Sequence, residues 1–209
     1  MDAQQQLNDA VDNSNHAGIK DALAKGAEAF VTVKSTDRSG YSRGDNEALL
    51  LQSSLVGEMS ILKTLVKDEK TDVNCCDRSG KTPAMNLVIG GYLEHLPFLQ
   101  KHGADLQIKD RNGKNIAFYA ARYGGLADVI YFESQGVAIT HVDDFGMNLF
   151  HMVSIAEEPK MDMAHYLATK GIDHEAKNNS GHSPLTLNIA MNKKNNDLFN
   201  FYMMLGEYI

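Results

Sequence analysis

Apolar residues fall in short clusters along this chain, separated by turns rich in Asp, Gly and Asn. Leu7, Ala10 and Val11 line one predicted helix, and Ile19, Ala22 and Leu23 a second. Leu50 and Leu51, then Ile61, Leu62, Leu65 and Val66, mark the next pair. Such spacing puts the apolar residues on one helical face. The clearest stretch runs from Asp77 to Asp110. It opens with an Asp-x-x-Gly turn and a helix start at Thr82-Pro83, and its first helix ends at Gly90-Gly91. A second helix follows and closes at Gly103-Ala104-Asp105 before the next Asp-x-x-Gly. One segment breaks the rhythm. Phe30-Val31-Thr32-Val33-Lys34 alternates as a strand does, and Ser39 to Gly44 is a polar loop, which predicts an enlarged hairpin finger over Val31 to Asp45.

The unit recurs. Gly80, Gly113 and Gly146 stand 33 residues apart, as do Gly103 and Gly136, and Gly171 follows after 35. A helix pair with a turn at this period is the mark of a stacked solenoid, in which each unit buries its apolar face on its neighbours. Asp77, Gly80, Thr82-Pro83, Gly91 and Gly103-Ala104-Asp105 together resemble the ankyrin repeat family. The resemblance implies an all-α ankyrin-repeat solenoid, a single domain over 1–209 with repeats near 1–36, 37–76, 77–109, 110–142, 143–177 and 178–209. The first, second and last are degenerate. Ala48-Leu49 and Asn115-Ile116 replace Thr-Pro, Met85 stands where the family has histidine, and Asn148-Leu149-Phe150-His151 fills the Thr-Pro-Leu-His slot. Near the end, Leu198 to Leu205 is apolar over more of its circumference than a solvent-facing cap requires.

Charge narrows the partners. A net charge of −7 argues against bulk attraction to nucleic acid or anionic lipid. No apolar run approaches the roughly 18 residues a membrane helix needs. The N-terminus lacks the basic and apolar stretches of a secretory leader, so a cytoplasmic location is expected; a periplasmic or secreted one is the alternative if a leader has been removed. The two cysteines, Cys75 and Cys76, are adjacent and belong to no wider framework, which favours two thiols over a bridge.

No nucleophile elbow, phosphate-binding glycine loop or dinucleotide motif is present, so neither an enzyme nor a cofactor is expected. The recurring Asp77, Asp110 and Asp143 fit turn formation, since Asp bonds its own backbone two residues on. The histidines lack metal-ligand spacing. The resemblance makes His151 a structural hydrogen-bonding residue at a helix start. A metal-binding or hydrolytic protein built on His141, His151, His174 and His182 is the alternative.

The resemblance implies instead a protein-binding module whose partner docks on the hairpin tips and the exposed side of the first helices. Carried onto this sequence, those positions include the cations Arg78, Lys81, Lys109, Arg111, Lys114 and Arg122, with Arg38, Tyr41 and Arg43 on the finger. Tyr123, Phe145 and Met147 add apolar groups beside them. Further positions are Leu55-Val56, Ile89-Gly90, Ile155-Ala156 and Ala190-Met191 at first-helix ends. Aromatics and arginine are enriched in binding hot spots. The expected partner is a protein with an acidic, partly apolar surface. An enzyme cleft entered by the finger would make this chain an inhibitor or immunity protein.

Overall fold

The structure, a computed structural model, describes residues 2–12, 17–18, 21–22, 25, 45–67, 71–158 and 160–191. Among them the only regular elements are helices. The chain divides into two compact units, 1–105 and 106–209. The predicted finger up to residue 44, its strand at 30–34 and the candidates Arg38, Tyr41 and Arg43 lie outside the described residues, as does the apolar stretch 198–205.

The first unit contains α1 (Ala3–Asp12), α2 (Asp45–Val56), α3 (Met59–Leu65), α4 (Pro83–Gly90), a 3-10 turn at Leu93–His95 and α5 (Leu96–Lys101). Helix α4 packs on α2. Asn86 fixes their register by donating to the Leu51 carbonyl at 3.0 Å. Gly90 lets the backbones approach, because a Cβ there would sit 2.2 Å from the Leu55 carbonyl oxygen. Leu50, Ile61, Leu62, Leu65, Met85 and Leu87 fill the core. Burying each such side chain contributes roughly 1.5–3 kcal/mol.

The second unit contains α6 (Ile116–Tyr123), α7 (Leu126–Ser134), α8 (Leu149–Ser154), α9 (Met161–Thr169) and α10 (Pro184–Ala190). First helices stack on first helices, α6 on α8 and α8 on α10, while α7 meets α9. Phe118, Phe132 and Phe150 lie fully buried among them.

Each helix pair is punctuated as its sequence dictates. The first helices begin at side-chain caps: Thr82 accepts from the Met85 amide, Asn115 from that of Ala117, Asn148 from that of His151 and Ser183 from that of Thr186. Each satisfies an amide that the helix leaves without a partner. The substitution of Asn for Thr at 115 and 148 adds a tether. Asn115 also donates to the Ala138 carbonyl at 2.8 Å, and Asn148 to that of Asp173 at 2.6 Å. Second helices close by one device. The Ala104 amide returns to the Leu99 carbonyl, Val137 to Phe132 and Ile172 to Leu167, around a glycine of positive φ.

His151 is where the resemblance places it. Fully buried, it accepts from the Asn148 amide at Nδ1, and its Nε2 reaches the His182 carbonyl at 3.1 Å. Burial holds its pKa below the ordinary histidine value. Cys75 and Cys76 are thiols, the first buried and the second exposed.

Candidate functional site

Four hairpin turns of one construction begin at Asp77, Asp110, Asp143 and Asn178. In each, the first residue's Oδ1 accepts from the amides two and four residues on. The donors are Ser79 and Lys81, Asn112 and Lys114, Phe145 and Met147, and Ser180 and His182, all at 2.8–3.0 Å. The first residue also donates its own amide to the carbonyl four on, closing the turn. The fourth residue is always glycine, with φ between 74° and 85°. That conformation disfavours a side chain.

Within the second unit the turns are laced together. The Asp144 amide donates to the Asn112 carbonyl at 2.9 Å, and the Asn179 amide to that of Phe145 at 2.8 Å. His141 Nε2 lies 2.7 Å from the Gly113 carbonyl. A hairpin edge so tied is a rigid platform for its side chains.

The remaining oxygen of each aspartate is used differently. In the first unit Asp77 Oδ2 lies 3.6 Å from the Lys81 ammonium. Partial burial alone would raise the Asp77 pKa, but hydrogen bonds from Ser79 and Lys81, with the Lys81 charge, hold it below the usual range. Asp110 accepts from the Tyr119 hydroxyl at 2.6 Å. Asp143 meets the ammonium of Lys114, 2.7 Å away on the preceding hairpin. Expected as a tip cation open to a partner, Lys114 is instead only 14% exposed, and its Nζ lies 5.0 Å from the centroid of the Phe145 ring.

Phe145 itself is 50% exposed. The equivalent position carries Ser79, Asn112 and Ser180 in the other three hairpins. Val142, also 50% exposed, precedes Asp143 where Cys76, Lys109 and Lys177 precede their own turns. Met147, partly exposed, stands where the others have Lys81, Lys114 and His182. The third hairpin thus carries three apolar side chains at positions its siblings fill mainly with polar ones. Aligning the turns points to Val142, which a reading of tips and helix ends passes over.

Arg122 and Tyr123, both exposed, end helix α6, with the guanidinium carbon 5.1 Å from the Tyr123 ring centroid. Beneath them, Lys160 donates to the carbonyls of Arg122, at 2.9 Å, and Gly124. Burial holds the Lys160 pKa below the ordinary lysine value. No sequence signal joins residues 38 positions apart, so this cap was not legible. Lys109, Arg111 and Arg78 are exposed. Arg78 and Lys81 belong to the first unit, and Lys109, Arg111, Lys114 and Arg122 to the second. Ile155 and Ala156, expected on an exposed helix end, are instead buried just past the end of α8 at Ser154.

Elsewhere, Glu133 accepts from the Tyr166 hydroxyl and from Lys170, joining α7 to α9. The Lys170 hydrogen bond holds the Glu133 pKa below the usual carboxylate range. The histidines proposed as an alternative site are dispersed: His141 and His151 on backbone carbonyls, His174 edge-on to Phe150, and His182 within the fourth hairpin. Among the described residues, no group of three or more His, Cys, Asp or Glu is placed to hold a metal ion. Among them, too, no helix is long and apolar enough to cross a membrane.

Residues 50–135 match the family model for ankyrin repeats, in three copies. The chain is 24% identical over 115 residues to an ankyrin repeat and SAM domain-containing protein 6 of Rattus norvegicus, covering 54% of this chain and 13% of that protein. It is 24% identical over 148 residues to the Mus musculus protein of that name, 70% of this chain and 16% of the other. Over 126 residues it is 29% identical to a transient receptor potential cation channel subfamily A member 1 homolog of Caenorhabditis elegans, 59% of this chain and 10% of the other. The chain therefore spans a small fraction of the length of these relatives.

Proposed function

From the premise that this chain is an ankyrin-repeat protein, its repeats matched over residues 50–135, we propose that it binds a protein partner through its hairpin tips and first-helix ends. Ankyrin repeats are in general protein-interaction modules, typically without enzymatic activity of their own. The observation that carries the reading here is the third hairpin. Val142, Phe145 and Met147 hold apolar surface out on a turn whose siblings place mainly polar residues there. Isolated exposed apolar residues are ordinary, but a large aromatic on a fixed turn is the kind of group that anchors an interface.

The partner is a protein with an apolar pocket flanked by carboxylates. Arg111, Lys109 and Arg122, all exposed, supply the complementary charge in the second unit. Complementary charge steers encounter and fixes register, while the buried anchor sets the residence time. In the first unit, exposed Arg78 carries charge of the same sign at its own hairpin tip. An inhibitor or immunity role is a narrower form of the reading and rests on the finger residues Arg38, Tyr41 and Arg43.

The test is capture from an extract of the source organism. Immobilised wild-type chain is compared with Phe145→Ser and with the Arg111→Glu/Arg122→Glu pair, and the retained proteins are identified. One protein retained by the wild type and lost from both variants supports the proposal. A retained set unchanged in both variants contradicts it.

A further inference from the structure

The ring that anchors the partner has its own support. We propose that Lys114, through its ion pair with Asp143, is a positioning residue for Phe145: it fixes the ring with one face occupied and the other presented, and it is not itself a contact. The inference rests on the docking role of the third hairpin argued above, and deepens it.

Three observations converge. The Lys114 ammonium is held 2.7 Å from an Asp143 carboxylate oxygen that is itself fully buried, so its position is set by a partner that cannot move away. From there it lies 5.0 Å from the Phe145 ring centroid, within reach of the negative face of the aromatic quadrupole. The other oxygen of the same carboxylate accepts from the Phe145 and Met147 amides, at 2.9 and 2.8 Å. One carboxylate thus fixes the backbone of Phe145 directly and its ring through Lys114. A free phenylalanine side chain on a turn would sample several rotamers and lose them on binding. Holding it in one arrangement beforehand lowers that entropic cost. The other hairpins have no such arrangement. Lys81 meets the aspartate of its own turn, Asp110 takes the Tyr119 hydroxyl, and Asn178 carries no charge. The ring so presented suits an aliphatic or aromatic side chain set between carboxylates, seated on its open face.

Removing Lys114 alone would strand a buried carboxylate and destabilise the fold for that reason alone. The fourth hairpin supplies the remedy. Asn178 makes the same two amide hydrogen bonds at 3.0 Å without charge. The informative protein is therefore Lys114→Met/Asp143→Asn, which keeps the turn and deletes the ion pair. The probe is a synthetic peptide pool with one leucine or phenylalanine flanked by glutamates. The ring is followed by 19F NMR of 4-fluorophenylalanine placed at 145. Expected is a single, shifted resonance in the wild type that moves toward the random-coil position in the double variant. Pool binding should weaken about tenfold with thermal unfolding little changed. A fluorine resonance and pool affinity identical in the two proteins would overturn the positioning role. Pool binding equal in wild type and Phe145→Ser would instead overturn the docking role on which it rests, and the two failures are read from different measurements.

Discussion

A methyl group at Gly90 would lie 2.2 Å from the carbonyl oxygen of Leu55, closer than any real contact allows. Helix α4 therefore meets the end of α2 backbone to side-chainless backbone, and neither carbonyl nor helix can yield without shifting the whole element. Gly90→Ala is expected to destabilise the first unit by about 1–3 kcal/mol, as overpacking of a tight core does. Gly136→Ala is a contrast, since nothing lies within 4 Å of its added carbon and only its φ of 79° is unfavourable. Chemical denaturation of the two variants distinguishes crowding from backbone strain.

The Lys114–Asp143 pair predicts a non-additive cycle. Lys114→Met alone leaves a fully buried carboxylate facing an apolar chain. Breaking one side of a buried pair in this way typically costs about 3–5 kcal/mol. Lys114→Met/Asp143→Asn is expected to cost far less than the single variant, because both charges leave together. Urea midpoints of the two singles and the double measure the coupling.

His151 makes stability depend on pH in a definite direction. Burial lowers its folded pKa below the ordinary 6.5, so the unfolded chain takes up the proton first as pH falls. The contribution is present in full above 6.5 and is lost progressively as pH drops toward the folded value. Melting temperature should fall between pH 7.5 and pH 5.5, and the slope should flatten in His151→Gln. The carboxylates Asp77 and Glu133, whose pKa values are lowered, act in a separate and more acidic window. Their contributions are present above the unfolded carboxylate pKa and are lost as pH falls through the folded values.

The adjacent thiols should react unequally. Cys76 is exposed and Cys75 buried at 6% exposure. Reactivity needs access for the reagent as well as thiolate. Native protein should release one equivalent rapidly with a chromogenic disulfide reagent, and the second only on unfolding.

What the sequence made legible were the features that repeat. Asp-x-x-Gly, the cap at Thr82 and the closing glycines are local, and their hydrogen bonds span five residues or fewer. The substituted caps at Asn115 and Asn148 were placed by register alone. The exposed aromatics Tyr123 and Phe145 came from the same register. What stayed hidden were partners brought together by stacking. Lys114 reads as one more tip cation until Asp143, 29 residues on, is seen beneath it. Lys160 caps α6 from 38 residues away, a partnership no local motif announces. Ile155 and Ala156 lie buried just past the end of α8, and periodicity does not place that end to within a turn.

The most direct measurement replaces the third hairpin's surface with that of the second. Val142→Lys/Phe145→Asn/Met147→Lys carries the residues of Lys109, Asn112 and Lys114 onto an equivalent turn, so the backbone hydrogen bonds and the fold should persist. Titration of the captured partner by calorimetry should then give an affinity at least tenfold weaker than wild type, with the melting curve little moved. Equal affinity in a folded variant would contradict the claim that this hairpin anchors the partner.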